Sequence, residues 1–182
     1  QYIEIVDRKS QRLQNLIEDL FEMSKASSGN ITLNIEEIDI VSLMKQTLLE
    51  LDDKIKASSL TFKNNFPEEK VVLQLDSQCT FRIFENIIIN ATKYAMANSR
   101  VYLDITERED NVEVIMKNMA AEEIDFNTNE IVERFVRGDE SRNTEGSGLG
   151  LAIAKSFVEL QGGSFKIEVD GDLFKVIMNF KK

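Results

Sequence analysis

The most informative absence in this 182-residue sequence is histidine, which does not occur. Without an imidazole, the chain cannot supply a histidine general base, a histidine metal ligand or a phosphohistidine. Cysteine occurs once, as Cys79, which excludes an internal disulfide and a cysteine-based zinc site and favours a reducing, cytoplasmic compartment. No apolar run approaches the roughly 20 residues that a membrane span requires, and no signal segment opens the sequence.

Basic residues are also scarce relative to acidic ones. The 22 lysines and arginines face 32 aspartates and glutamates, which gives a formal net charge of -10. This sign argues against broad binding to nucleic acid or to an anionic membrane, because both select basic surfaces. Hydrophobic residues make up 42% of the chain, enough to bury the core of one compact domain with a short appendage.

The first 24 residues have the spacing of an amphipathic helix. Apolar residues recur at helical intervals from Val6 to Phe21, with polar residues on the other side. No capping cluster precedes the helix, and its apolar stripe needs a covering partner. We therefore expect the chain to be cut from a longer protein, inside or just before this helix. The alternative is a free helix that packs on its own domain. The Ser-Ser-Gly-Asn segment at 27–30 marks the predicted domain boundary.

The remaining residues alternate predicted helices and strands without internal repeats. Helices are predicted from Asp39 to about 57, from Asp76 to about 97, and from about 149 to 161. Strands are predicted at 31–38, 60–66, 71–75, 100–108, 111–118, 164–169 and 173–180. This order predicts an α+β fold of two layers, in which helices cover one face of a mixed, mostly antiparallel sheet. Residues 119–147 form a predicted long polar loop.

The helix predicted from Asp76 carries two asparagines and a lysine on one stripe. Asn86, Asn90 and Lys93 follow the i, i+4, i+7 spacing, which places them on one side of the helix. Asparagine is a mediocre helix former, its amide oxygen is a hard ligand suited to Mg²⁺, and a lysine can bind phosphate. The stripe is either a semi-buried polar groove for such a ligand or a solvated helix face.

A glycine-rich turn, Gly-Ser-Gly-Leu-Gly at 146–150, leads into the last predicted helix. Closely spaced glycines let backbone N–H groups converge, and a helix N-terminus adds positive partial charge, so the turn suits a phosphate. Flexible-loop glycines are the alternative. No lysine follows a glycine, which excludes a Walker A loop, and the spacing does not match the dinucleotide-binding pattern.

An arginine-rich segment lies upstream of this turn. Arg134, Arg137 and Arg142 are placed to reach a polyphosphate, with Phe135 as an apolar anchor. Because residues 119–147 hold more acidic than basic side chains, this is no basic patch, and an ordinary charged loop is the alternative.

In this order, the asparagine helix, hairpin, long loop, arginine–phenylalanine segment and glycine turn resemble the ATP-binding domain of sensor histidine kinases. That family shares its Bergerat nucleotide fold with gyrase, Hsp90 and MutL. Residues 86–94 match the N box, 131–137 the F box and 146–151 the G2 box. The resemblance covers essentially the whole chain. It implies that residues 1–27 are the second helix of the dimerisation and phosphotransfer hairpin. Residues 28–182 are then the ATP-binding catalytic domain, with an ATP lid at about 119–147.

The resemblance also implies roles for residues of the asparagine helix. Asn90 would bind Mg²⁺, and Asn86 would lie in the phosphate and metal region. Lys93 and Tyr94 would contact the phosphates or the ribose of ATP.

The lid and the glycine turn would supply the other contacts to ATP. Arg137 would reach the terminal phosphate, helped by Arg134, while Phe135 anchors the lid. The glycine turn would line the polyphosphate with Gly146, Ser147, Gly148, Leu149 and Gly150.

Several positions depart from the family pattern, mostly at the adenine end. The G1 box normally has an aspartate that accepts a hydrogen bond from the adenine amino group, followed by glycines. Here Asn118 takes that place, and residues 119–121 contain no glycine. Its oxygen can accept the same bond, but losing the charge costs on the order of 1 kcal/mol, roughly fivefold to tenfold in affinity. Val132 replaces the first phenylalanine of the F box, and Leu173 replaces a threonine that often assists adenine binding.

The resemblance implies the Mg-ATP-binding catalytic domain of a two-component sensor histidine kinase. Its parent would be a membrane-anchored homodimer that transfers the γ-phosphoryl group of ATP to a histidine and then to a response regulator. The implied partners are ATP, the parent's phosphotransfer domain and that regulator. The H box is missing here, so we expect this fragment to be a monomer by itself and to bind Mg-ATP without phosphorylating itself on histidine.

Two alternatives stay open. A nucleotide-responsive binding module, or pseudokinase, is favoured by the altered G1 box. An ATPase or serine kinase of the same superfamily is disfavoured, because those enzymes usually have a glutamate where this chain has Asn86.

Overall fold

The computed structural model describes residues 2–27, 31–122, 124 and 149–182. The helices in these ranges are α1 (Tyr2–Ser27), α2 (Ile40–Glu50), α3 (Asp52–Ala57), α4 (Ser77–Tyr94) and α5 (Gly150–Leu160). The strands are β1 (Ile35–Asp39), β2 (Thr61–Asn65), β3 (Val72–Asp76), β4 (Arg100–Glu107), β5 (Asn111–Met119), β6 (Ser164–Asp170) and β7 (Leu173–Lys181). None of these helices combines the length and hydropathy that crossing a membrane requires.

Five of the strands form one mixed sheet in the order β2, β4, β5, β7, β6. β2 runs parallel to β4, whereas β4–β5, β5–β7 and β7–β6 are antiparallel pairs. The β6–β7 hairpin turns at Gly171, whose positive φ of 58° favours glycine. These pairings confirm the predicted α+β class and the mixed, mostly antiparallel sheet. β1 and β3 form a separate two-stranded antiparallel sheet, which the sequence pattern did not predict.

The core lies between the sheet and helices α4 and α5. Alternate residues of the three central strands are buried, as a sheet covered on one face requires: Val101, Leu103, Ile105, Val112, Val114, Met116, Phe174, Val176, Met178 and Phe180. The helices contribute mainly Ile83, Phe84, Ile87, Ile88, Ala91, Leu151, Ile153, Ala154, Phe157 and Val158. The open face of the sheet carries charged side chains such as Asp104 and Lys117, which form an ion pair.

The helix predicted from Asp39 to residue 57 is two helices. Asp39 caps α2 as predicted, and its carboxylate accepts a hydrogen bond from the Val41 N–H. Leu51 then leaves the helical conformation, with φ -95° and ψ 6°, and its side chain is buried. α3 begins directly after it with Asp52 and Asp53, and two carboxylates in a first turn favour a new helix N-terminus.

α4 ends at Tyr94, earlier than the predicted end near residue 97. The following residues pair with the end of β5 instead. The Met96 N–H donates to the Met119 carbonyl at 2.8 Å, and Ala95 forms an isolated bridge with Ala120. This tertiary pairing replaces the last helical turn that the sequence pattern predicted.

α1 packs on the rest of the molecule through its C-terminal third. Met23 and Ala26 contact the core, and Arg82 of α4 forms ion pairs with Glu22 at 2.7 Å and Asp19 at 3.3 Å. Other apolar residues of α1, which lie along the helix up to its last third, are exposed: Tyr2, Ile3, Val6, Leu13, Ile17, Leu20 and Phe21. The division of the chain into residues 1–27 and 28–182 stays a prediction.

Candidate functional site

The asparagine stripe of α4 meets the first residue of α5. A Cβ atom added to Gly150 would lie 3.1 Å from Oδ1 of Asn86 and 3.5 Å from its Cγ. A side chain at this position would therefore force the Asn86 amide to move. The absence of a Cβ allows the backbone at the start of α5 to approach that amide, a recurrent use of glycine. Two motifs far apart in the sequence are thus in contact.

The Asn86 amide has a hydrogen-bond donor that is not paired with any described residue. Its Nδ2 is buried and has no acceptor in the part of the chain that the structure describes. A buried donor without a partner costs roughly 1–3 kcal/mol, so such groups are rare outside functional sites. Beside it, the N-terminus of α5 provides backbone N–H groups and positive partial charge. A phosphate oxygen fits this donor set.

Asn90 lies one turn after Asn86 on α4. Both asparagines are half-buried, whereas Lys93 is exposed and Tyr94 is half-buried. The solvated-face alternative therefore does not describe the two asparagines. In the described ranges, histidine, cysteine and acidic side chains form no group of three that could hold a metal ion. A Mg²⁺ here would depend on the Asn90 amide oxygen together with water and phosphate oxygens, a ligand set that suits this ion.

Asn118 is the last core-facing residue of β5 and only 3% exposed. Its Oδ1 is buried and finds no donor among the described residues, while its Nδ2 donates to the Met119 carbonyl at a long 3.4 Å. Just beyond it, the Ala121 N–H donates to the Tyr94 carbonyl at 2.9 Å. The end of β5 is therefore fastened to the C-terminal end of α4. Asn86 lies eight residues before Tyr94, about 12 Å along the helix axis.

Sequence reasoning missed a second contact that aligns α4 with α5. Gln161, just after α5, accepts hydrogen bonds from the Asp76 N–H at 2.8 Å and from the Thr80 hydroxyl at 3.3 Å. The end of α5 thus meets the start of α4, and the start of α5 meets Asn86, so the two helices are antiparallel. The one sequence signal for Gln161 is its position at the end of the predicted last helix, directly before Gly162, which is typical of a C-cap residue.

Asp76 caps α4 and is the single buried acidic residue in the part of the chain that the structure describes. Burial alone would raise the pKa of Asp76, but hydrogen bonds from the backbone N–H groups of Cys79 and Asn34, each 2.8 Å, outweigh it and hold that pKa below its ordinary value. Burial, with the Asp76 charge, raises the pKa of Cys79 to about 12. The thiol therefore stays protonated at neutral pH and is no nucleophile.

Of the predicted site residues, the structure describes Asn86, Asn90, Lys93, Tyr94, Asn118, Leu149 and Gly150. It brings Asn86 and Gly150 into contact and places Asn118 beside the far end of α4. The remaining predicted site residues lie outside the described residues: Arg134, Phe135, Arg137, Gly146, Ser147 and Gly148. Most of the predicted lid at 119–147 lies there too.

The sequence of this chain is similar to those of known proteins. A sequence model of the family described as "Histidine kinase-, DNA gyrase B-, and HSP90-like ATPase" matches residues 76–181, more than half of the chain. Sensor protein VanSC of Enterococcus gallinarum is 30% identical over 169 residues, which are 92% of this chain and 46% of VanSC. The chain spans less than half the length of the first curated relatives it matches.

Solved structures share the fold. Full-length ShkA in complex with AMPPNP superposes with a TM-score of 0.81 at 20% identity, over 98% of this chain and 38% of ShkA. Histidine kinase ThkA in complex with response regulator protein TrrA gives a TM-score of 0.76 at 19% identity, over 100% of this chain and 50% of that one. The predicted resemblance is thereby confirmed: the chain belongs to the histidine kinase-, DNA gyrase B- and HSP90-like ATPase family, as an ATP-binding domain of the sensor histidine kinase type.

Proposed function

We propose that this chain binds Mg-ATP between α4 and the start of α5 and serves as the catalytic domain of a two-component sensor histidine kinase. One observation carries the proposal. The Asn86 amide and the glycine at the start of α5 are within contact distance, and Asn86 Nδ2 is a buried donor without an acceptor among the described residues. A triphosphate supplies the acceptor oxygens that this pair of groups lacks.

Different described residues would contact different parts of Mg-ATP. Asn86 and the N-terminus of α5 would hold phosphate oxygens, and Asn90 would bind the metal ion through its amide oxygen. Mg²⁺, when bound, neutralises the charge that develops on the phosphates during phosphoryl transfer. Lys93 and Tyr94, at the end of α4, would contact the phosphates or the ribose. The chain's own contribution is positioning and electrostatics, because this reaction needs little covalent chemistry from the protein.

The acceptor and the later partners lie outside this chain. No histidine is present, so the γ-phosphoryl would go to a histidine of the intact parent and then to a response regulator. The AMPPNP of the ShkA complex and the regulator of the ThkA–TrrA complex support this assignment by analogy. We propose that the parent is a membrane-anchored homodimer and that residues 1–27 belong to its phosphotransfer hairpin, whose exposed apolar side chains need a partner helix.

A weak or vestigial nucleotide site is the second candidate function, and Asn118 is the observation that favours it. A neutral amide stands at the adenine end, so the charge-assisted hydrogen bond of the usual aspartate is lost. A domain with this change could act as a nucleotide-responsive binding module that holds a partner.

Calorimetric titration of the 182-residue chain with Mg-ATP distinguishes the two candidate functions. We expect a Kd between micromolar and submillimolar values for the wild type, and loss of binding in Asn90→Asp, because a carboxylate adds negative charge beside the triphosphate. Asn64→Asp is the matched control, since Asn64 is exposed on the edge strand β2, and it should bind as the wild type does. No binding at millimolar nucleotide would favour the module.

A further inference from the structure

Asn118 offers a donor and an acceptor at one buried position. Its side chain is 3% exposed, Oδ1 has no partner among the described residues, and Nδ2 is held only by the 3.4 Å bond to the Met119 carbonyl. The residues opposite it in the sheet, Val101 and Phe174, are apolar and buried, so they cannot fix the amide orientation. Rotating the amide by 180° exchanges Oδ1 with Nδ2 and sacrifices one long hydrogen bond.

The place of Asn118 fits the base of a nucleotide bound at α4. The triphosphate would lie at Asn86 and Gly150, and the end of β5 is fastened to the C-terminal end of α4 by the bonds from Met96 and Ala121. About 12 Å of helix separates Asn86 from that end. An extended nucleoside triphosphate spans a distance of this order, so its base would reach the end of β5 where Asn118 is buried.

Purines differ in what they present to such a group. Adenine carries an amino donor at its six position, whereas guanine carries an oxygen acceptor there, and hypoxanthine shares that oxygen. A carboxylate only accepts hydrogen bonds. It therefore pairs with the adenine amino group, but it places an acceptor against the six-oxygen of guanine or hypoxanthine. A carboxamide pairs with the adenine amino group through Oδ1 and with the six-oxygen through Nδ2.

We propose that Asn118 makes this domain tolerant of 6-oxopurine nucleotides, so that Mg-ITP and Mg-GTP bind with affinities close to that of Mg-ATP. The inference rests on the proposed function, because it takes the nucleotide to lie along α4 with its base at Asn118. According to this inference, the residue at position 118 determines whether the site discriminates between adenine and 6-oxopurine bases. An aspartate in its place would restore strict selection of adenine.

The test compares Kd values of the 182-residue chain and its Asn118→Asp variant for Mg-ATP, Mg-ITP and Mg-GTP, by calorimetry. ITP lacks the 2-amino group of GTP, so it differs from ATP only in its six-oxygen and in the proton on the adjacent ring nitrogen N1. We expect the wild-type Kd for ITP to exceed that for ATP by less than about tenfold. The variant should raise that ratio at least about tenfold further, the effect of burying two acceptors face to face. An unchanged ratio would overturn the inference.

Asn118→Leu provides a second variant of similar size without donor or acceptor. It should weaken ATP and ITP together and leave their ratio near one, within a factor of about three. If a variant fails to fold, as circular dichroism would show, the wild-type ratio still decides: a preference for ATP over ITP above about tenfold refutes the tolerance. Absence of binding for all three nucleotides would refute the proposed function itself, whereas ATP binding with rejection of ITP refutes only this inference.

Discussion

At the scale of single residues, the candidate site depends on the absence of a Cβ atom at Gly150. The 3.1 Å approach between its Cβ position and Asn86 Oδ1 joins two segments that are distant in the sequence. The spacing of Asn86 and Asn90 on one helix face could be predicted from the sequence, since it follows from helix geometry. The contact of Asn86 with Gly150 could not be predicted, because it depends on how α4 and α5 pack. The burial of Asn118 Oδ1 could not be predicted from the sequence either, because it also depends on tertiary packing.

We expect Gly150→Ala to separate stability from nucleotide binding. The added methyl group displaces the Asn86 amide and should weaken Mg-ATP binding about tenfold, whereas alanine favours the helix by up to about 1 kcal/mol. Calorimetric titration and thermal unfolding measure the two effects.

Gly162→Ala is the matched control for this substitution. Gly162 has a φ of +76° and no atom within 4 Å of its Cβ position, so an alanine there is strained but touches nothing. It should lower the free energy of unfolding by about 1 kcal/mol and leave nucleotide affinity unchanged. Equal nucleotide affinity in Gly150→Ala and the wild type would mean that the Asn86 contact plays no part in binding.

At the scale of elements, Arg82 connects α1 to the helix that carries the asparagines. Its guanidinium contacts Glu22 at 2.7 Å and Asp19 at 3.3 Å on α1, and Glu85 at 2.6 Å on α4 itself. Three carboxylates around one cation repel one another once that cation is removed. Arg82 thus holds the C-terminal third of α1 in place.

Arg82→Met should therefore release α1 while leaving the ATP-binding core folded. We expect amide hydrogen exchange over residues 19–26 to speed up by about tenfold to a hundredfold, since charged hydrogen bonds contribute about 1.5–3 kcal/mol. Exchange in β5 and β7 should stay as in the wild type. Glu85→Gln is the control, because it keeps both contacts to α1. Unchanged exchange in α1 would show that Met23 and Ala26 suffice to dock it.

The elements themselves were largely predictable, because alternating and helical patterns are local. The sequence predicted the β4–β5 and β6–β7 hairpins and the last helix. Two of the errors arise where pairing with a distant segment sets the structure: Met96 pairs with Met119 and shortens α4, and β1 pairs with β3 outside the main sheet. Neither pairing leaves a periodic signal in the sequence.

At the scale of the whole molecule, the chain combines a proposed nucleotide site with the absence of any histidine to accept the phosphoryl group. Because the sequence contains no histidine, it offers no imidazole at any position. A phosphohistidine is labile to acid and stable to alkali, so its formation can be read directly from the phosphate that survives each treatment. Nucleotide binding and phosphoryl transfer to histidine can therefore be tested separately in this chain.

We expect the 182-residue chain, incubated with Mg-ATP labelled at the γ position, to bind nucleotide and acquire no acid-labile, alkali-stable phosphate. The physical reason is that the proposed nucleotide site lies at α4 and α5, whereas the chain contains no imidazole that could attack the γ-phosphoryl group. Calorimetry in the same buffer serves as the control, since it shows that the nucleotide site was filled during the assay. Label of that stability on the chain would contradict the assignment, because another nitrogen nucleophile, such as a lysine amine, would then be the acceptor.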